Sequence, residues 1–173
     1  TSHTNAYFYP DEKTLAFIDM SLLNVMKARK LLEEAKEKGV KRIVLCLTHT
    51  HDDHASGVVF WAFSVREIFG KTNAILEVIT SPEVAFDADR VFWSSGGRTL
   101  FGDTNENERD DEVYRLFSIN GKKMHFYDNG RGIGREVWWK GFFERPKWLI
   151  DIVPTSHSPR LTGACGFVFK VGE

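Results

Sequence analysis

The chain has 173 residues, 42% of them apolar and 27% charged, the balance of a folded globular domain, which argues against a disordered or fibrous protein. Its formal net charge of −1 supplies no global field for nucleic acid or an anionic membrane surface, so a nucleic-acid substrate would need a local basic groove. No apolar run approaches the ~20 residues of a membrane span.

The length suits one domain, 1–173, with its own core. The start, "TSHTNAYFYP", lacks the basic and apolar regions of a signal peptide. Cys46 and Cys165 each lie in an apolar run, which predicts two buried, reduced thiols, with a disulfide between them as the alternative. These features together predict a cytoplasmic protein.

Ala6 to Tyr9 and Leu15 to Asp19 read as short strands around the turn "PDEKT", a hairpin favoured by Pro10 and Asp11. Ser21 is expected to cap a helix from Leu22 to Lys38. Leu22, Val25, Ala28, Leu32 and Ala35 would share its apolar side, and Gly39 would stop it. "KRIVLCL" predicts a buried strand, part of Val58 to Phe69 a helix, and "AILEVIT" another strand. "SPEVAFDADRVF" opens like a helix, with serine before proline. Residues 94–112, polar and acidic, read as a long loop or insertion. "EVYRLFSI", "KKMHFYD" and "REVWWKGFF" predict an antiparallel meander whose first turn holds Asn120-Gly121. "KWLIDIV" and "GACGFVFKV" supply two strands on either side of "PTSHSPRLT". The order of elements predicts a mixed α/β class.

Just past the carboxyl end of "KRIVLCL" lies "LTHTHDDHASG", residues 47–57, with three histidines and two aspartates between His49 and His54. Loops outside strand ends are favoured ligand positions in layered α/β proteins. On an extended loop His49 and His51 turn to the same side, so both imidazoles reach one point, and imidazole is the commonest metal-binding side chain. Asp53 adds an anionic oxygen and His54 turns to a second point nearby. The spacing predicts two neighbouring metal positions, one on His49 and His51, the other on Asp53 and His54; a single-metal site would use fewer. The competing reading is a polar surface loop. Asp52 occupies a position that need not touch metal. His3 and His125 read as a terminal tail and a strand face. Trp138, Trp139, Phe142, Phe143 and Trp148 would form packing, a substrate wall or a subunit contact.

The run His49-Thr-His51-Asp-Asp53-His54 resembles the HxHxDH signature of the metallo-β-lactamase superfamily. Asp19, closing "LAFID", resembles the family's structural aspartate that braces the metal loop. "VPTSHSPRLTGACGFVF" resembles the segment of the family's third motif and makes His157 a further metal ligand. The resemblance covers Ala6 to Val171. It implies an αββα sandwich with mostly antiparallel sheets, one or two zinc ions (manganese or iron as substitutes) and hydrolysis by metal-activated water. Asp53 would then also orient the attacking water.

Two departures stand out. Met20 and Ser21 replace the Thr-Gly pair usual after the early aspartate, and the bridging aspartate expected one strand after the third histidine is missing. The resemblance therefore implies the N-terminal part of a longer protein. Asp103, in "TLFGDT", resembles the missing motif but precedes His157, and a turn explains it as well. The context of His157 is closer to the phosphodiesterase and ribonuclease Z-like branches than to the glyoxalase II branch. The leading expectation is a phosphodiesterase. Alternatives are an ester, thioester or lactam hydrolase, and a non-catalytic metal-binding or interaction module. A small-molecule or phosphodiester substrate is expected and no membrane partner; substrate-contacting residues and oligomeric state are not legible.

Overall fold

The computed structural model describes residues 6–70, 75–80, 84, 114–120, 123–127, 136–138, 146–156 and 164–170. A mixed α/β chain results. Strands β1 (Ala6–Asp11) and β2 (Thr14–Ile18) form the expected hairpin, with Asp11 paired to Thr14. Asp11 accepts from the Lys13 N–H at 2.8 Å and the Thr14 hydroxyl at 3.0 Å, which closes the turn. Helix α1 (Val25–Glu37) leads to β3 (Arg42–Cys46). A short helix α2 (Asp52–Ala55), helix α3 (Val58–Phe69) and β4 (Ile75–Thr80) follow. Then come β5 (Tyr114–Asn120), β6 (Lys123–Tyr127) and β7 (Glu136–Trp138), and finally β8 (Leu149–Pro154) and β9 (Cys165–Phe169).

The first seven strands form one sheet in sequence order, and β8 pairs with β9 in a second sheet. The meander is present: β5, β6 and β7 pair antiparallel, but Asn120 ends β5 opposite Lys123, which shifts the connection expected at Asn120-Gly121 to residues 121–122, outside the described residues. The centre of the large sheet is parallel, however, across β2–β3, β3–β4 and β4–β5. Among the described residues antiparallel pairings thus outnumber parallel ones only four to three. Of the helix expected from Ser81, only Val84 is among the described residues; the 94–112 segment lies outside them.

Alternation along the central strands explains the layers. Leu15 and Phe17 on β2, Ile43 and Leu45 on β3, and Val78 on β4 join a core with Val25, Ala28 and Leu32 of α1 and Trp61, Val65 and Phe69 of α3. The intervening Ala16, Val44, Cys46 and Ile79 pack instead with Trp148, Leu149 and Cys165 from the second sheet. Period-2 alternation therefore sends one face of the sheet to the helices and the other to β8–β9. Trp148 belongs to this packing, edge-on to Phe8 at 5.9 Å. Both cysteines are buried thiols, not joined in a disulfide. Among the described residues no helix is long and apolar enough to cross a membrane.

The helix start departs from expectation. Leu22–Asn24 form a 3-10 turn, and the α-helix begins only at Val25. Three residues per turn instead of 3.6 rotate Leu22 out of the apolar stripe, and it is 52% exposed. The Ser21 hydroxyl does not cap the backbone; it accepts from the Asn24 side-chain amide at 2.8 Å. The Leu22 N–H is met by the Ser56 hydroxyl at 3.0 Å, from the motif loop. Gly39 ends the helical run at φ +75° as expected. Arg29 on α1 forms a forked pair with Glu67 on α3, at 2.7 and 2.9 Å.

Candidate functional site

The motif begins where β3 ends, and three neighbouring elements hold it there. The Leu47 N–H donates to the Ile79 carbonyl at 2.9 Å, and the Thr80 hydroxyl to the Leu47 carbonyl at 2.6 Å. The Cys165 N–H donates to the Thr48 carbonyl at 3.0 Å, so β9 grips the same point from the other sheet. From β2, the Asp19 N–H extends the ladder to the Cys46 carbonyl at 3.0 Å. The motif loop therefore leaves a frame of buried strands, which is what precise aiming of side chains requires.

Asp19 is the junction. It sits in the left-handed region at φ 57°, which aspartate tolerates better than most residues. The turn lets the chain leave β2 so that the Met20 N–H meets the His54 carbonyl at 2.6 Å. The Asp19 carboxylate, 5% exposed, accepts from the Thr48 N–H at 2.8 Å, the Thr48 hydroxyl at 2.8 Å and His54 Nδ1 at 2.7 Å. Burial pushes its carboxyl above the usual range, while the bonds from the Thr48 backbone, His54 and the Thr48 hydroxyl pull the other way.

His49 is buried directly after Thr48, whose hydroxyl lies 2.9 Å from His49 Nδ1. The His49 ring lies 4.9 Å from the His51 ring and 4.0 Å from the His54 ring, centroid to centroid. The three histidines of the motif thus gather at one place, and His49 lies nearer His54 than the His49–His51 grouping implied. The loop is not extended throughout. His51, exposed, stands at the N-cap of α2, so Asp52, Asp53 and His54 share a helical turn. Asp53 Oδ2 lies 3.5 Å from His54 Nε2, and Asp52 points to solvent with an exposed side chain. Gly57 follows, packed so closely on Ser21 that its N–H donates to the Met20 carbonyl at 2.9 Å.

His157 and Asp103 lie outside the described residues, as do His3 and all of residues 139–145. The residues flanking 157–163 are described: the Thr155 N–H donates to the Ala164 carbonyl at 2.8 Å, and the next residue, Cys165, reaches Thr48 of the motif. Thr48 and Ser56 are residues that sequence reasoning missed. Each is a hydroxyl beside the histidine run whose partner lies far back in the chain, at Asp19 and Leu22.

The donors suit a borderline metal such as zinc: neutral imidazoles plus a carboxylate, with one ring nitrogen already oriented by a buried carboxylate. Among the described residues no group of three or more histidine, cysteine, aspartate or glutamate side chains converges as a metal-holding set. The fit is thus in donor chemistry and in the orientation of His54 by Asp19, without a converged set of three side chains. A separate cleft of about 510 Å³, lined by Pro10, Arg42, Trp148 and Lys170 among others, lies at the opposite end of β3 and shares no residue with the motif. No protein-family model and no curated protein matches the chain.

Proposed function

We propose that the chain carries the metal-binding part of a metallo-β-lactamase-like hydrolase, and that its substrate is a phosphodiester. The observation that carries this reading is the gathering of His49, His51 and His54 outside the carboxyl end of β3, with Asp19 bonded to His54 Nδ1 at 2.7 Å. The helix, sheet, sheet layering is compatible with part of an αββα sandwich. His49, His51, Asp53, His54 and His157 would hold zinc, or manganese or iron in its place. Bound there, the metal lowers the pKa of water towards neutrality and polarises the substrate's phosphoryl oxygen.

The chain's own groups have distinct tasks. Asp19 holds the proton of His54 on Nδ1, and His54 Nε2 lies 3.5 Å from Asp53 Oδ2, so the two would share one bound cation. Asp53, part-exposed on the first turn of α2, is the carboxylate placed to accept a hydrogen bond from an attacking water. His51, on the exposed side, stands edge-on to His49 with ring centroids 4.9 Å apart. The sequence around His157 favours the phosphodiester over a carboxylic or thiol ester.

The test uses the zinc-loaded protein with bis(p-nitrophenyl) phosphate and an acylthioester. Release of p-nitrophenol that stops on chelation and in His51→Ala, with the thioester inert, is expected. Cleavage of the thioester instead would transfer the reading to the ester, thioester or lactam hydrolases. Metal binding without turnover of either substrate would leave a binding module.

A further inference from the structure

Thr48 touches both sides of the histidine group. Its hydroxyl lies 2.8 and 3.0 Å from the two oxygens of Asp19 and 2.9 Å from His49 Nδ1. A threonine hydroxyl has one proton to give and two lone pairs with which to accept. An ionised carboxylate can only accept, so the hydroxyl proton goes to Asp19. The remaining neighbour, His49 Nδ1, must then be a donor. The same carboxylate accepts from His54 Nδ1 at 2.7 Å.

We propose that Thr48 is a positioning residue that relays the hydrogen-bond polarity of Asp19 to His49, so that one buried carboxylate sets the Nδ1–H tautomer of His49 and His54 together. His49 and His54 would then each keep Nε2 for a metal, from rings whose centroids are 4.0 Å apart, with Asp53 Oδ2 3.5 Å from His54 Nε2 as a further oxygen for the same ion. In water the histidine side chain favours the opposite tautomer, with its proton on Nε2, so two histidines left alone would each have to be switched before binding a metal through Nε2. The relay does this in advance, and linked hydrogen bonds strengthen one another in a buried setting.

The local structure suits threonine. Its backbone is fixed on both sides, by the N–H bond to Asp19 at 2.8 Å and by the carbonyl bond from Cys165 at 3.0 Å. Its β-branched side chain restricts χ1, so the hydroxyl keeps its place between the two partners. The consequence for metal binding rests on the hydrolase reading; the tautomers do not.

The experiment is long-range proton–nitrogen NMR of the metal-free chain, labelled with ¹⁵N in histidine, at a pH where the rings are neutral. Protonated Nδ1 and bare Nε2 are expected for His49, and protonated Nδ1 for His54, whose Nε2 also faces Asp53. In Thr48→Val, of nearly the same shape, His49 should move towards the Nε2–H form while His54 stays unchanged; Thr48→Ser should restore His49. Zinc affinity, measured by competition with a chromophoric chelator, should fall about tenfold in Thr48→Val and recover in Thr48→Ser. A parent protein with His49 protonated on Nε2 overturns the relay, and needs no variant to fold. An unchanged His49 tautomer in Thr48→Val does so too. Expected tautomers in protein that binds no zinc would uphold the relay and overturn the hydrolase reading alone.

Discussion

Gly57→Ala is the sharpest test of how the motif is seated. A Cβ at this position would lie 2.5 Å from the Ser21 carbonyl oxygen, 2.6 Å from its carbon and 2.8 Å from Val25 Cγ2. The first two are backbone atoms and cannot rotate away. Ordinary contact begins near 3.4 Å, so the two segments must part by roughly 0.9 Å or forfeit packing on both sides. Overpacking of this kind costs about 3 kcal/mol. The backbone of Gly57, at φ −92° and ψ −6°, is open to alanine, and the stiffer unfolded chain returns about 0.5 kcal/mol. The net loss should be near 2–3 kcal/mol, a fall in Tm of roughly 6 °C for a domain of this size. The same displacement strains the bonds Gly57 N–H to Met20 and Met20 N–H to His54, and so loosens His54 against Asp19. Thermal unfolding measures the first effect and zinc titration the second. Gly39→Ala is the control: nothing lies within 4 Å of its Cβ and φ is +75°, so about 1 kcal/mol of backbone strain is expected with zinc binding unchanged. If Gly57→Ala proves no more costly than Gly39→Ala, the close seating of the motif on Ser21 is wrong.

Further outcomes follow from the same coordinates. Asp19→Asn puts an amide where a carboxylate oxygen accepts from His54 Nδ1, so the proton of His54 should shift to Nε2 and zinc affinity should fall about 10- to 100-fold, read by chelator competition. Leu45→Ala removes a fully buried side chain from the helix-facing core and should cost about 3–4 kcal/mol in urea unfolding. The Arg29 guanidinium holds the Glu67 carboxyl below its ordinary value, first through the hydrogen bond and then through charge. A lowered folded pKa means that this contribution is complete at neutral pH and is lost as pH falls through the folded value. NMR titration should show Glu67 returning to the ordinary carboxylate range in Arg29→Gln, and high salt should blunt the difference.

What the sequence disclosed and what it hid divide by distance along the chain. The strands β2 and β3 were legible because the unbroken apolar runs Leu15 to Ile18 and Ile43 to Leu47 announce burial on both faces, and the helix α1 because Val25, Ala28, Leu32 and Ala35 keep the 3.6-residue period. The parallel centre of the large sheet was not, since a helix joins β2 to β3 and a long connection joins β4 to β5, and neither names its partner strand. At the site, the histidine cluster was legible as a local density of ligands between His49 and His54. Its control was not. Thr48 acquires a role only when Asp19, 29 residues earlier, is folded against it, and Ser56 only when Leu22, 34 residues away, presents an N–H. A hydroxyl beside a histidine looks the same in sequence whether it faces water or a carboxylate.

The same contrast explains why Asp19 matters more than its place in sequence indicates. It is the last residue before the chain leaves β2, and its left-handed turn serves three attachments at once: backbone to Cys46, side chain to Thr48 and side chain to His54. Removing any one histidine would delete one donor, whereas altering Asp19 would misorient two rings and loosen the loop that carries the third. A buried carboxylate is costly to fold around, as the upward push of burial on its carboxyl shows. That cost is offset only in part by its hydrogen bonds. An apolar residue at this position would avoid the penalty but could not direct a proton on either histidine, so the expense is intelligible as the cost of orientation rather than of stability.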